Sequence, residues 1–157
     1  VQSEMQNTEN APIEEVELNY PIMIKRYELI EDSGGPGRFR GGLGVRRDFW
    51  FPDQECSFSI LSDGRKFPPW GLAGGGDGAC ARYILDPEGE ARELPSKVTL
   101  RIPPGGVVSV ETPGGGGFGP VAARDPQAVR QDVANRKVSG AAAQAVYGLS
   151  DGRQAAD

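Results

Sequence analysis

The groups able to do chemistry in this sequence are carboxylates, arginines and two cysteines, because it contains no histidine. That removes the commonest general base and metal ligand, and with them every Ser-His or Cys-His nucleophile pair. Glu14, Glu15 and Glu17 crowd one segment. On an extended chain Glu15 and Glu17 share a face and Glu14 takes the other, a pattern that suits acid-base work or simply a solvated strand end. Asp63 beside Arg65 and Lys66 suits either an anion contact or a turn-stabilising ion pair, and Lys97 suits a phosphate contact or a solvated surface. Cys56 and Cys80 form no CxxC, which indicates neither a disulfide framework nor a zinc ribbon; Cys56 sits at an apolar position and reads as a buried thiol. GLAGGGDGACAR lacks the lysine of a phosphate loop, and GGPGRFRGG misses the GxGxxG spacing because position 40 is arginine.

The elements that must position these groups are strands joined by glycine. Three clusters stand out: SGGPGRFRGGLG at 33–44, SDGRKFPPWGLAGGGDG at 62–78 and TPGGGGFGP at 112–120. Glycine at this density implies a turn fixed by packing or a chain that approaches a ligand closely, and Phe39 and Leu43 supply apolar anchors absent from floppy linkers. Val16, Leu18, Tyr20, Ile22 and Ile24 alternate, then Tyr27 and Leu29 take the other parity, which predicts a strand from Glu15 with a bulge, placed at a sheet edge by Pro21. Alternation on both sides of Pro52 predicts a hairpin over 43–61, and PPGG at Pro103–Gly106 predicts a second hairpin joining Val98–Ile102 to Val108–Val110. Ala81–Leu85 is a further strand, followed by a type I turn at Asp86–Gly89. Asp125 and Pro126 open one C-terminal helix, and Ser139 opens another that stops at Gly148.

The expected fold is therefore mainly β: an irregular antiparallel β-sandwich or barrel-like domain with glycine-rich loops and two short C-terminal helices. Its expected organisation is an N-terminal arm at 1–14, a β-rich domain at 15–120, a helical segment at 121–149 and a polar tail at 150–157. At 157 residues one domain is the prior. The 23 glycines and 13 prolines are clustered, not periodic, which rejects collagen and general disorder. A net charge of −5 opposes broad binding to nucleic acid or anionic membrane, and a single GRFRGG does not make an arginine-glycine repeat. No apolar run is long enough for a membrane span, and the cysteine usage suits a reduced, cytoplasmic setting.

Taken in order, MQNT and PIEEVE within 5–17, SGGPGRFRGGLG, LSDGRKFPPWGLAGG, LPSKVTL, ETPGGGGFGP and the closing RDPQAVRQDVANRKVSGAAAQAVYG resemble the C-terminal portion of the hydantoinase B/oxoprolinase family. The resemblance implies ATP-dependent chemistry on a lactam. A hydantoinase A type partner with an actin-like ATPase fold, holding ATP and Mg, phosphorylates the amide oxygen, and the B-type part hydrolyses the activated bond with a divalent metal. Substrates implied are hydantoin, 5-oxoproline and other lactam rings, or, in a related branch, ketones such as acetone and acetophenone that are carboxylated.

The family's metal ligands lie in an N-terminal portion that this sequence lacks. The resemblance therefore implies a small subunit or fragment that binds no cofactor or metal itself, does not catalyse alone, and completes a larger B-type portion. Two other readings stand beside it: a ketone carboxylase subunit, and a purely structural assembly module. The residues it brings forward are Asn7, to hydrogen-bond a substrate carbonyl, Glu14, to orient a ligand or accept a proton, and Arg65 and Trp70, to wall a cavity or meet the ATPase partner.

Overall fold

The structure is a computed structural model that describes residues 10–149. A short helix, α1 (Ile13–Asn19), precedes the first strand. The five-stranded antiparallel sheet contains β1 (Met23–Leu29), β2 (Val45–Trp50), β4 (Arg82–Leu85), β5 (Arg92–Glu93) and β7 (Val107–Glu111), in the order β1-β2-β7-β4-β5. A two-stranded sheet pairs β3 (Cys56–Leu61) with β6 (Lys97–Ile102). The C-terminal segment forms α2 (Pro126–Ala134) and α3 (Gly140–Ala145).

The mainly β reading holds, and no barrel closes. The core lies where the small sheet covers the large one: Ile60 and Ile102 of the first meet Tyr83 and Val108 of the second, with Phe51 between them. The Phe58 ring sits 6.2 Å from that of Phe49 and 6.0 Å from that of Phe51.

Two local expectations fail. Residues 13–19 are helical, not the start of a strand. Ile13 and Val16 share a helical face, Glu14 and Glu15 occupy the first turn where the helix dipole favours acid, and Pro12 precedes and Pro21 follows. Seven residues are too few to separate the two periods, and the backbone bonds Val16 N–H to Pro12 C=O and Tyr20 N–H to Val16 C=O decide for the helix. Glu17 then accepts the Ile24 N–H at 2.8 Å, tying helix to strand. The expected bulge is present, as a register shift between Ile24 and Arg26 on the edge strand β1.

Neither expected hairpin forms. β2 pairs with β1 and β7, and β3 pairs with β6, so the chain crosses from one sheet to the other at 51–55 and again at 103–106. A hairpin would leave the aromatic faces of its two strands side by side in one layer, whereas crossing lays them face to face and dry. The crossings brace each other: Phe51 N–H donates to Gly106 C=O and Gly105 N–H donates to Phe51 C=O. Gly105 holds φ +81°, a conformation costly for other residues.

The three glycine clusters are one structure. Segments 33–44 and 69–79 run into β2 and β4, and β7 runs into segment 112–119, so they prolong the three adjacent strands β2, β7 and β4. They hydrogen-bond in several directions: Gly35 N–H to Gly115 C=O, Gly115 N–H to Gly42 C=O, Gly76 N–H to Pro36 C=O, Gly117 N–H to Gly76 C=O and Leu72 N–H to Gly117 C=O, all between 2.7 and 2.9 Å. Outside Gly74 and Gly119, which hold φ +89° and +76°, glycine is required here by contact and not by φ. A Cβ on Gly41 would strike the Gly115 carbonyl, one on Gly75 the Gly117 carbonyl, and one on Gly117 the Pro36 carbonyl. Ser33, buried, closes the first loop by accepting the Gly44 N–H and donating to the Ile30 carbonyl.

Both C-terminal helices begin as expected. Asp125 accepts the Gln127 N–H with Pro126 at the first helical position, Ser139 accepts the Ala142 N–H, and Gly148 ends the pair at φ +66°. Val129, Val138 and Ala143 form their own small core.

Gly41→Ala and Gly117→Ala are each expected to cost about 3 kcal/mol or more, since their neighbours are backbone and cannot yield. Gly140→Ala, with open space at the head of α3, is expected to add roughly 0.5–1 kcal/mol. Urea unfolding midpoints separate these outcomes, and small equal changes at all three positions would refute the close-contact account.

Candidate functional site

A backbone packed this tightly has no room for large side chains inside it, so its large apolar residues Phe39, Leu72 and Phe118 turn outward. Phe39 and Phe118 exchange backbone hydrogen bonds at 2.9 Å, their rings lie 6.4 Å apart, and Leu72 bridges to Phe118 from the other side. All three side chains are more than half exposed, as are Phe67 and Trp70, the latter at 75%. Phe39 is therefore no core anchor, contrary to the sequence reading. Arg38 stands 5.3 Å from the Phe39 ring and Lys66 5.5 Å from the Phe67 ring, so cations border this apolar surface. A group of large apolar residues held out by rigid backbone is the signature of a surface made to be covered.

Arg65 lies in a shallow depression of about 550 Å³ with Lys66, Cys80, Arg82, Glu93 and Ser96. Its guanidinium is 3.1 Å from Glu93, which Arg82 also approaches at 3.7 Å. Asp63 pairs instead with Lys97 at 3.5 Å, both exposed. Glu14 is exposed on the first turn of α1, and among the described residues no ion pair or hydrogen bond joins it to Arg65 or Trp70. Asn7 lies outside the described residues. The three of the four singled-out residues that are described, Glu14, Arg65 and Trp70, share no hydrogen bond or ion pair with one another. Cys56 packs half-buried against the core, and both cysteines are unpaired. Among the described residues no group of three His, Cys, Asp or Glu stands close enough to hold a metal ion.

Two arginine-bound aspartates fix the platform under these loops. Asp132, on the inner face of α2, takes Arg40 Nε at 3.0 Å and the Arg124 guanidinium, with all three side chains nearly buried. Arg40 comes from the first glycine segment and donates also to the Gly41 carbonyl, so this cluster clamps helix to bundle. Burial alone would raise the Asp132 carboxyl, but the hydrogen bonds and charges of Arg40 and Arg124 outweigh it and hold the group below the usual carboxylate range. Burial pushes the nearby Tyr147 hydroxyl up. On the large sheet Asp48 is held down in the same way, burial being outweighed by the two-pronged contact with Arg46 at 2.9 Å and by Arg26 at 3.4 Å. The sequence offers a signal for Asp132, a carboxylate three residues after Val129 on the buried face of a short helix, but nothing in its spacing names Arg40 and Arg124 as the partners.

Residues 1–121 match the family described as Hydantoinase B/oxoprolinase. The chain is 37% identical over 147 residues to a Pseudomonas protein named as a D-/L-hydantoinase subunit of the B type, covering 92% of this chain. The crystal structure of ATP-dependent caprolactamase from Pseudomonas jessenii matches over 90% of this chain with TM-score 0.79 and 34% identity. A nucleotide-free acetone carboxylase structure matches over 88% with TM-score 0.76 at 23% identity, a likeness of fold alone. The chain spans about a quarter of each: 25% of the hydantoinase subunit, 25% of the caprolactamase chain and 23% of the carboxylase chain.

The aspartate clamp makes a prediction about acid. A carboxyl depressed in the folded state stabilises the fold above its unfolded pKa of about 4 and loses that contribution as pH falls through the folded value. Asp132→Asn, which strands two guanidinium groups, is expected to cost about 2–4 kcal/mol at pH 7. It is also expected to flatten the loss of stability between neutral pH and pH 3, as read from urea midpoints; a variant with the parent's acid profile would show that Asp132 carries no such linkage.

Proposed function

The chain belongs to the hydantoinase B/oxoprolinase family, and on that premise we propose that it is the C-terminal part, or a small subunit, of the B-type component of an ATP-dependent amidohydrolase. Its substrates are hydantoin, 5-oxoproline or other lactam rings. The observation that carries this reading is the match to caprolactamase over nine-tenths of the chain. The amide of a lactam is resonance-stabilised and a poor electrophile. Transfer of the ATP γ-phosphoryl to its oxygen, releasing ADP, makes an O-phosphorylated imidate whose carbon accepts one water; collapse of that adduct expels the amine and cleaves the C–N bond, leaving an acyl phosphate that a second water hydrolyses to the ring-opened acid and phosphate.

In this scheme the phosphoryl transfer belongs to an actin-like ATPase partner, and the hydrolytic groups and divalent metal to the larger B-type portion. The described residues present no cluster fit to hold that metal, so no step of the chemistry is assigned to them. What they supply is a rigid face. The exposed Phe39, Trp70, Leu72 and Phe118 dock against the larger B-type portion, and the Arg65 depression meets the ATPase partner. Asn7 and Glu14 belong to the segment of sequence that in the family leads on from the catalytic portion, and this reading assigns them contact with substrate.

The test is reconstitution. Combined with its partner subunits, the protein is expected to support lactam-dependent ATP hydrolysis and to show none alone. Phe118→Ser and Trp70→Ala are each expected to lower that turnover at least tenfold while leaving the melting temperature within a few degrees of the parent. Full turnover by the chain alone, or ATP hydrolysis indifferent to every lactam, would refute the reading. Labelled bicarbonate fixed only when a ketone is supplied would move it to the carboxylase branch.

A further inference from the structure

The small sheet covers only part of the inner face of the large one. Phe49 and Val108 lie beneath it, but the same face continues along β2, β7 and β1 through Arg47, Val110 and Tyr27, which stand in one cross-strand row. There a cavity of about 210 Å³ opens, lined by Asn10, Tyr27, Val45, Arg47, Phe49, Val110 and Thr112. The Arg47 guanidinium lies 4.3 Å from the centre of the Tyr27 ring and 5.9 Å from that of Phe49. Asn10 Nδ2 donates to the Tyr27 hydroxyl at 3.0 Å and fixes that ring from the rim.

Arg47 is the exception among the partly buried arginines. Six are described: Arg26 and Arg46 are paired with Asp48, Arg40 and Arg124 with Asp132, and Arg65 with Glu93. Of these six, Arg47 alone has no carboxylate within ion-pair distance among the described residues, and none of its guanidinium N–H groups makes a hydrogen bond to them. A cation drawn from water onto an apolar floor is ordinarily matched by an anion. Ring stacking compensates in part and at the same time orients the planar guanidinium, leaving its edge free for the two oxygens of a carboxylate. The volume is below the roughly 300 Å³ at which sites for drug-sized ligands begin, so the cavity suits a single small ring.

We propose that this cavity binds a small carboxylate, its anion on Arg47 and its ring or short chain against Tyr27, Val45, Phe49 and Val110. Resting on the lactam reading above, it makes the preferred substrate a lactam with a carboxylate attached to the ring. Arg47 is then a binding residue that selects the acid over the neutral ring, and it takes no part in bond cleavage.

The experiment titrates the protein with 5-oxoproline and with 2-pyrrolidinone, the same ring without the carboxylate, following backbone amide signals. 5-Oxoproline is expected to shift the signals of Tyr27, Arg47 and Thr112 and to bind at least tenfold more tightly than 2-pyrrolidinone. Arg47→Met, which keeps an aliphatic stem between the rings, is expected to abolish that preference, and Arg47→Lys to restore part of it. Equal binding of the two rings, binding of neither, or an unaltered preference in Arg47→Met would overturn the proposal. So would Arg47-dependent capture of an acidic peptide without capture of 5-oxoproline. Binding is read without ATP, so a cavity that binds 5-oxoproline in a protein with no lactam-dependent turnover would retain the site and sink the catalytic reading, and the converse result would do the reverse.

Discussion

Backbone against backbone is the contact on which this structure depends. In ordinary sheets neighbouring strands are held apart by their ladders and side chains fill the faces. Here three segments prolonging β2, β7 and β4 shed their side chains and bond to neighbours in more than one direction. The absent Cβ atoms of Gly41, Gly75, Gly114 and Gly117 are the space into which facing carbonyls project. Such buried carbonyls and amides must find partners, and the interleaved hydrogen bonds supply them. Two consequences follow from the same geometry: the bundle is rigid, and its large apolar residues Phe39, Leu72 and Phe118 have nowhere to go but outward.

Charge is arranged to serve that rigidity. Asp132 binds an arginine from the first glycine segment and another from the approach to α2, so the helical segment is fastened to the bundle and not merely connected to it. The link is doubled by Asp32, whose N–H donates to the Lys137 carbonyl and whose carboxylate accepts the Ser139 N–H. Asp48 does equivalent work between β1 and β2. With Asp132 and Asp48 committed to arginines, the unmatched guanidinium of Arg47 becomes a feature to explain and not one more surface cation.

The capping chemistry was legible because it is local. Asp125, Pro126, Ser139 and Gly148 each act on backbone groups within a few residues, so type and spacing suffice. The β bulge was legible for the same reason. The two hairpins were misread because alternation records only that a strand has an apolar face. Whether that face meets its sequence neighbour in the same layer or across a sandwich depends on β1, β7 and β6, partners far along the chain. Residues 13–19 were misread because seven positions satisfy two periods at once. At the surface, Phe39 passed for an anchor, since nothing in GRFRGG says that the glycines, and not the phenylalanine, face inward.

That inversion bears on what the domain is for. Glycine loses more conformational freedom on folding than any other residue, roughly 0.5–1 kcal/mol relative to alanine at an ordinary helix or strand position. A fold seeking stability alone would fill this region with valine and isoleucine and bury them, as the two sheets beside it do. Accepting the entropic cost makes sense if the product is positional: aromatic side chains held outward on a backbone that cannot flex, at fixed distances from one another. Pre-organised surfaces of this kind lower the ordering cost of association. Phe39, Leu72 and Phe118, displayed on such a frame, are ordered before anything meets them, which is what the docking role proposed for them requires.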